Sequence, residues 1–211
     1  MANIKDYKKE FKDLYLPKNK PMLIDIPEIQ FVAIQGKGDP NEENGEYQKA
    51  LSVLYGIQYT IKMSKMGKNP LVGYFDYVVP PLEGFWWLDK GDTISSKSKY
   101  NWLSVIRLPE FVTCDIFKWA CDEVQAKKGI DTKNAKIVKI KEGLCVQCMH
   151  IGSYDDEPKT LKIIDDFIEA NNLKNDISDK RRHHEIYLQS DPRKTDTDKL
   201  KTVLRIPVKK L

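Results

Sequence analysis

Hydrophobic positions along the chain switch between a two-residue period and one near 3.6, and each switch marks an element. Strand-like alternation or apolar runs fall at about 22–35, 71–79, 100–108, 135–151, 183–188 and 201–208. Ile26-Pro27 interrupts the first, whose firm part is Phe31-Val32-Ala33-Ile34-Gln35. A helical stripe of Tyr47, Leu51, Leu54, Tyr55, Gln58 and Ile61 predicts a helix over 45–65. Ile116, Phe117, Ala120, Cys121 and Val124 predict another over 114–128, with Thr113 as its cap and Lys127-Lys128-Gly129 as its stop. Leu161, Ile164, Phe167 and Ile168 form a third stripe, entered through an Asp cap and Pro158 in the first turn. Tyr7, Phe11 and Leu14 allow a short docking helix within an N-terminal extension, residues 1–20.

The boundaries carry turn chemistry. Pro80-Pro81 stops the 71–79 strand, Pro109 the 100–108 strand and Ser190-Asp191-Pro192 the 183–188 strand. Residues 89–98 are polar and read as a loop, and the 135–151 strand is expected to bend near Glu142-Gly143.

In this order the chain reads strand, helix, strand, strand, then a connecting helix, then the same four again. The halves also resemble each other locally. The run from Phe31 to Asp39 matches the pattern from Cys145 to Ser153, and each precedes acidic residues and a long amphipathic helix. The expected fold is α+β: tandem βαββ repeats with pseudo-two-fold symmetry. An antiparallel-rich curved sheet would have helices on one face and a ligand cleft on the other. Its parts would be 21–110 (first βαββ unit), 111–130 (connecting helix) and 131–211 (second unit).

Composition narrows the function classes. The 211 residues carry Lys+Arg 35 against Asp+Glu 31, a net charge of +4, with the lysines scattered among acids. That is no nucleic-acid footprint. No apolar run has the length of a membrane span and no secretory signal precedes the first strand. Four cysteines are too few for a disulfide scaffold, and a cytoplasmic location is expected.

Candidate chemistry centres on His183-His184-Glu185-Ile186-Tyr187-Leu188. In a strand His184, Ile186 and Leu188 share one face, and His183, Glu185 and Tyr187 the other. The ionisable face either meets water or lines a cleft. In the second case it points away from the helices, and Glu185 is the candidate general base with Tyr187 as a hydrogen-bond donor beside it. A carboxylate walled by aromatics accepts a proton more readily, because desolvation disfavours its charged form. Leu82-Glu83-Gly84-Phe85-Trp86-Trp87, with Trp102, Tyr74 and Tyr77, are candidates for such a wall, or for core packing. Glu83 could polarise a group opposite the base. Gln147, His150 and His183 complete the candidate ligand-binding set.

No metal or cofactor is expected. His183 and His184 are adjacent in a strand and point opposite ways, and the sulfurs of Cys145 and Cys148 fall on opposite faces. Gly36-Lys37-Gly38 is a strand-end turn, not a phosphate loop.

Several motifs together resemble the GyrI-like small-molecule-binding family: Phe31 to Asn41, Pro81-Leu82-Glu83-Gly84-Phe85-Trp86-Trp87, Glu142 to Gln147, His150 to Pro158, His183 to Arg193, and Lys201 to Val208. The likeness covers nearly the whole chain. It implies the tandem βαββ fold and a ligand cleft, with Glu185 matching the position of a ligand-contacting carboxylate. The Leu-Glu-Gly-aromatic-Trp and His-His-Glu-Ile-Tyr-Leu motifs resemble the stand-alone cyclopropanoid hydrolases, with Gln189 a small departure in the turn. That likeness implies hydrolysis of planar, hydrophobic, DNA-alkylating compounds through a strained ring, protecting the cell. The rivals are a binding module that sequesters such molecules without converting them and a protein-interaction domain. No nucleic-acid or membrane partner is expected, and the sequence leaves the oligomeric state open.

Overall fold

The structure is a computed structural model that describes residues 4–67, 71–89, 91, 97–189 and 194–211. The predicted Ser190-Asp191-Pro192 turn and most of the 89–98 loop lie outside the described residues. The described chain forms two compact units interleaved in sequence. The first comprises residues 1–10, 30–80 and 88–139, and the second residues 11–29, 81–87 and 140–211.

The first unit is built on strand β1 (Met22–Lys37), whose residues from Gln30 onward belong to it, and strand β3 (Asn101–Arg107). They pair antiparallel from Phe31 opposite Arg107 to Lys37 opposite Asn101. Helices α3 (Glu46–Met63) and α4 (Cys114–Lys128) supply the rest of its core through Leu54, Ile57, Ile61, Ala120 and Val124, all buried. Both predicted ends of α4 hold. The Thr113 side chain accepts from the Ile116 amide at 3.3 Å, and Gly129 takes the left-handed conformation, φ 64°, that closes the helix. Helix α1 (Tyr7–Glu10) is one short turn, with the Tyr7 hydroxyl donating to Glu110 at 2.6 Å.

The strand predicted at 71–79 does not form. Gly73 turns the chain with φ 76°, and the Asp76 carboxylate binds the Tyr77 amide and the Lys65 ammonium. Local side-chain to backbone bonding thus replaces a ladder. The strand forms instead within the aromatic block, as β2 (Leu82–Trp87) in the second unit.

The second unit contains β2, β4 (Lys136–Ile151) from Ile140 onward, and β6 (His183–Tyr187) and β7 (Lys201–Lys210). They pair antiparallel in the order β2, β6, β7, β4. A short strand that the sequence pattern did not reveal, β5 (Leu173–Asn175), pairs with the C-terminal end of β7. Helix α5 (Glu157–Ala170) lays Ile164 and Ile168 over Val146, Cys148, Leu204 and Ile206. Asp156 does not cap it: Asp156 is already helical, and its carboxylate pairs with Lys159 at 2.5 Å. The cap sits one turn earlier, where Ser153 accepts from the Asp155 amide. Helix α2 (Lys12–Tyr15) completes the unit after a break at Phe11.

The bend in β4 occurs where expected. Gly143 has φ 65°, a conformation that glycine adopts without a Cβ clash. The Arg181 guanidinium donates to the Glu142, Leu144 and Val208 carbonyls at 2.7, 2.6 and 3.1 Å, satisfying groups that the bend takes out of the ladder.

Candidate functional site

Side chains directly opposite in an antiparallel pair share a face. Glu185 stands opposite both Leu204 and Gly84, Tyr187 opposite Thr202 and Leu82, and Trp86 opposite His183. Thr202 in turn stands opposite His150, and Leu204 opposite Cys148. Leu204 and Cys148 lie under α5, so Glu185 is on the helix-covered face of the sheet. The expectation that it points away from the helices is therefore corrected. The partly apolar side of β6 did not select the helix. That side, with His184 and Ile186, is sealed instead by buried polar groups and by the chain at Asp13–Tyr15.

On the α5 face the ionisable residues form a connected set. Glu185 Oε1 lies 3.0 Å from His183 Nε2, and Glu185 Oε2 accepts from the Tyr187 hydroxyl at 2.6 Å. That hydroxyl accepts from the Trp86 indole N–H at 3.0 Å. A carboxylate can only accept, so the Nε2–H of His183 donates to it, and the His183 Nδ1 is buried without a hydrogen-bond partner. The Glu185 side chain is only 15% exposed. Tyr154, in the turn before α5, meets the Tyr187 ring edge to face at 5.9 Å, and burial pushes its hydroxyl up to about 12.

Gly84 is the floor of this set. A Cβ there would lie 2.7 Å from Trp86 Nε1 and 3.4 Å from the Tyr187 oxygen, so a bare backbone lets the indole fold back onto the tyrosine. Glu157, the first residue of α5, stands at the edge with its carboxyl beside the Thr202 hydroxyl. Burial and the nearby Glu185 carboxylate push the Glu157 carboxyl up to about 9.

The opposite face of the same sheet holds a buried ionic cluster. His184 is fully enclosed and stacks on Phe85 with ring centroids 4.0 Å apart. Its Nδ1 lies 3.0 Å from Glu142 Oε1, and its Nε2 lies 3.1 Å from Glu83 Oε2. Arg205 donates to Glu142 at 2.7 Å, to Gln147 Oε1 at 3.0 and 3.1 Å, and to the Leu14 carbonyl at 2.9 Å. Gln147 donates to the Asp13 carbonyl at 2.5 Å. Burial alone would raise the Glu142 carboxyl, but His184 and Arg205 outweigh it and hold it down at about 2. Burial alone would lower the His184 imidazolium, but Glu142 and Glu83 outweigh it and raise it.

The predicted site residues therefore separate. Trp86, His183, Glu185 and Tyr187 come together on the α5 face. Glu83 and Gln147 belong to the ionic cluster on the other, where Glu83 polarises His184. Trp87, next to Trp86, also turns to that other face, with the Arg182 guanidinium 4.7 Å over its ring. His150 shares the α5 face but is consumed structurally, with Nδ1 at 2.8 Å from Thr160 Oγ1 and Nε2 at 2.9 Å from the Ser153 carbonyl. Tyr74, Tyr77 and Trp102 belong to the first unit. Tyr77 and Trp102 are core residues that present no surface to a ligand: the Tyr77 hydroxyl meets Gln58, and the Trp102 ring packs against Gly36 and edge-on to Tyr47. The Tyr74 hydroxyl donates to the Lys62 carbonyl at 2.8 Å. Cys145 and Cys148 fall on opposite faces, as alternation requires.

The sequence pattern did not mark Glu157, Tyr154 and Thr202 as site residues, nor Glu142 and Arg205 as a pair. One signal was present: Arg205 interrupts an otherwise apolar strand, and a charge in such a place needs a buried partner.

A family model for the GyrI-like small-molecule-binding domain matches residues 19–209. The chain belongs to this family. A Listeria innocua structure described as an uncharacterized conserved protein superposes with a TM-score of 0.92 at 48% identity, covering 97% of this chain and 100% of that one. Two Listeria innocua structures described as hydrolases superpose with TM-scores of 0.88 and 0.90 at 48% and 47% identity, covering 97% and 98% of this chain and all of theirs. The C-terminal domain of EcmrR shares the fold at 13% identity, with a TM-score of 0.57 over 91% of this chain and 98% of that domain. A comparison with curated protein sequences returns no match.

Proposed function

We propose that the protein is a cytoplasmic hydrolase that binds planar, hydrophobic small molecules and opens a strained cyclopropane ring with water, removing DNA-alkylating compounds. The observation that carries this reading is the doubly held carboxylate of Glu185. His183 fixes one oxygen and Tyr187 the other, so the group is pre-oriented to take a proton from water at little further entropic cost. The Tyr187 proton is directed at Glu185, so the tyrosine orients the base, and Trp86 fixes the tyrosine. Trp86, Tyr187 and Tyr154 offer the aromatic surface for a flat substrate. The hydrolases from Listeria innocua support the reaction class. Ring strain supplies the driving force, so the reaction calls for no cofactor.

The chain order in both halves, β1-α3-β2-β3 and then β4-α5 with β6-β7, supports reading residues 21–110 and 131–211 as tandem βαββ segments.

The test is Glu185→Gln, incubated with a cyclopropane-containing alkylator. Wild type is expected to convert many equivalents to the ring-opened alcohol while the variant binds but does not convert. Equal turnover by the two sinks the assignment of the base, and depletion that stops at one equivalent of wild type makes the protein a sequestering module.

A further inference from the structure

Glu185 accounts for the proton that leaves water, but ring opening also places negative charge on the substrate, and that charge needs a proton of its own. The second carboxyl of the site is placed to supply it. Glu157 is 9% exposed, and its Oε1 atom has no hydrogen-bond partner. Thr202 serves the carboxyl from one side, but an acidic oxygen so enclosed and without a partner is costly unless it is neutral or meets a ligand. Its position is fixed from two sides. His150 ties the Ser153 carbonyl to the Thr160 side chain, which locks the turn before α5 onto the end of β4. Thr202, beside the Glu157 carboxyl, is the cross-strand neighbour of both His150 and Tyr187. Glu157 and Glu185 thus flank one row of side chains, with the Tyr187 hydroxyl bound to the second.

We infer that Glu157 is the acid partner of Glu185 and delivers a proton to the oxygen that gains charge as the ring opens, an inference that rests on the hydrolase reading above. The step balances within the substrate, water and these two residues. Water oxygen bonds to the methylene carbon of a cyclopropane conjugated to a carbonyl, and Glu185 takes the water proton. The ring C–C bond breaks, and its electron pair passes through the conjugated system to the carbonyl oxygen. That oxygen takes the Glu157 proton and becomes a hydroxyl. Glu185 is then protonated and Glu157 ionised, and transfer of one proton between them restores the starting state. Two interacting carboxyls whose surroundings separate their proton affinities are a recurrent way to hold an acid and a base in one site.

The groups facing Glu157 bear on its titration. They are Glu185 from β6, Thr202 from β7, and Asp155 and Tyr154 from its own turn, with His150 of β4 and Tyr187 of β6 standing opposite Thr202. Glu185 and Asp155 both favour the protonated acid, and Thr202 opposes them.

The test is Glu157→Gln, which keeps the shape and removes the acid, in steady-state turnover of the same alkylator across pH. Wild-type kcat/KM, which reports the free enzyme, is expected to fall as pH rises through about 9. The variant should lose roughly 100-fold or more in kcat, lose that alkaline limb, and bind the ring-opened product as wild type does. A variant with wild-type kcat and limb overturns the inference and leaves the hydrolase reading intact. Wild type that opens no strained ring overturns both. A second measurement is made on the folded wild-type chain: carbon-13 NMR of carboxyl-labelled glutamates against pH. It should show Glu157 protonated at neutral pH and its midpoint falling in Glu185→Gln. Glu157 ionised at neutral pH in a protein that turns over overturns the inference alone.

Discussion

Replacing Glu142 with glutamine keeps the shape of the side chain and removes one charge from the buried cluster behind the site strand. Arg205 and His184 then face each other with half of their counter-charge gone. The carboxyl falls from its ordinary 4.5 to about 2 in the folded protein. At 1.36 kcal/mol per pKa unit, that difference makes its ionisation worth about 3 kcal/mol of stability at neutral pH. A folded-state value below the unfolded one stabilises above the unfolded value and is lost as pH falls through the folded one. The contribution is thus complete above about pH 5, about 2 kcal/mol near pH 3.5, and gone below about pH 2. For a chain of this size, about 3 kcal/mol lowers Tm by roughly 6–12 °C. The assay is thermal unfolding followed by circular dichroism, wild type against Glu142→Gln, at neutral pH and near pH 3.5. The gap is expected to be large at neutral pH and to narrow by about a third in acid. A gap under about 2 °C at neutral pH, or one that widens in acid, refutes the idea that an ionised Glu142 holds the cluster together. His184 contributes with the opposite sign. Its folded value is raised, so its share is present below the ordinary histidine value of 6.5 and is lost as pH rises through the folded one.

Two further substitutions probe the α5 face. Gly84→Ala places a methyl group 2.7 Å from Trp86 Nε1. It should swing the indole off Tyr187 and cut turnover by about 10-fold or more with little change in Tm, as measured by parallel kinetics and melting, because a misplaced positioning group costs rate before it costs fold. Tyr187→Phe removes the donor to Glu185 Oε2 and the acceptor of the Trp86 N–H. It should lower kcat by about 10- to 100-fold at unchanged product affinity, because the base loses orientation and not substrate surface. Wild-type kcat in either variant shows that the Trp86-Tyr187-Glu185 chain does not position the base.

The local features legible in the chain are those that depend on near neighbours. Helices α3, α4 and α5 follow from their apolar stripes, and Thr113 and Gly129 set the ends of α4 because a cap is satisfied within a few residues. The separation of His183, Glu185 and Tyr187 from His184 and Ile186 follows from strand alternation alone, and their burial agrees with it. Where a local signal competed with another, the pattern misled: Gly73 and the Asp76 carboxylate turned an apolar run at 71–79 into an irregular chain. Period and propensity do not say which face of a strand receives the helix. That was decided by register, which put Glu185 opposite Leu204 and so under α5. Nor do they say which distant groups meet. Glu157 comes beside Glu185, and Glu142 beside Arg205, only because β4, β6 and β7 pair as they do. The sequence by itself determined the three long helices, the alternation of side chains along the strands and the chemical types available at each. The tertiary structure decided which carboxyls share a buried space, and burial with a near neighbour, not residue type, separates an acid from a base.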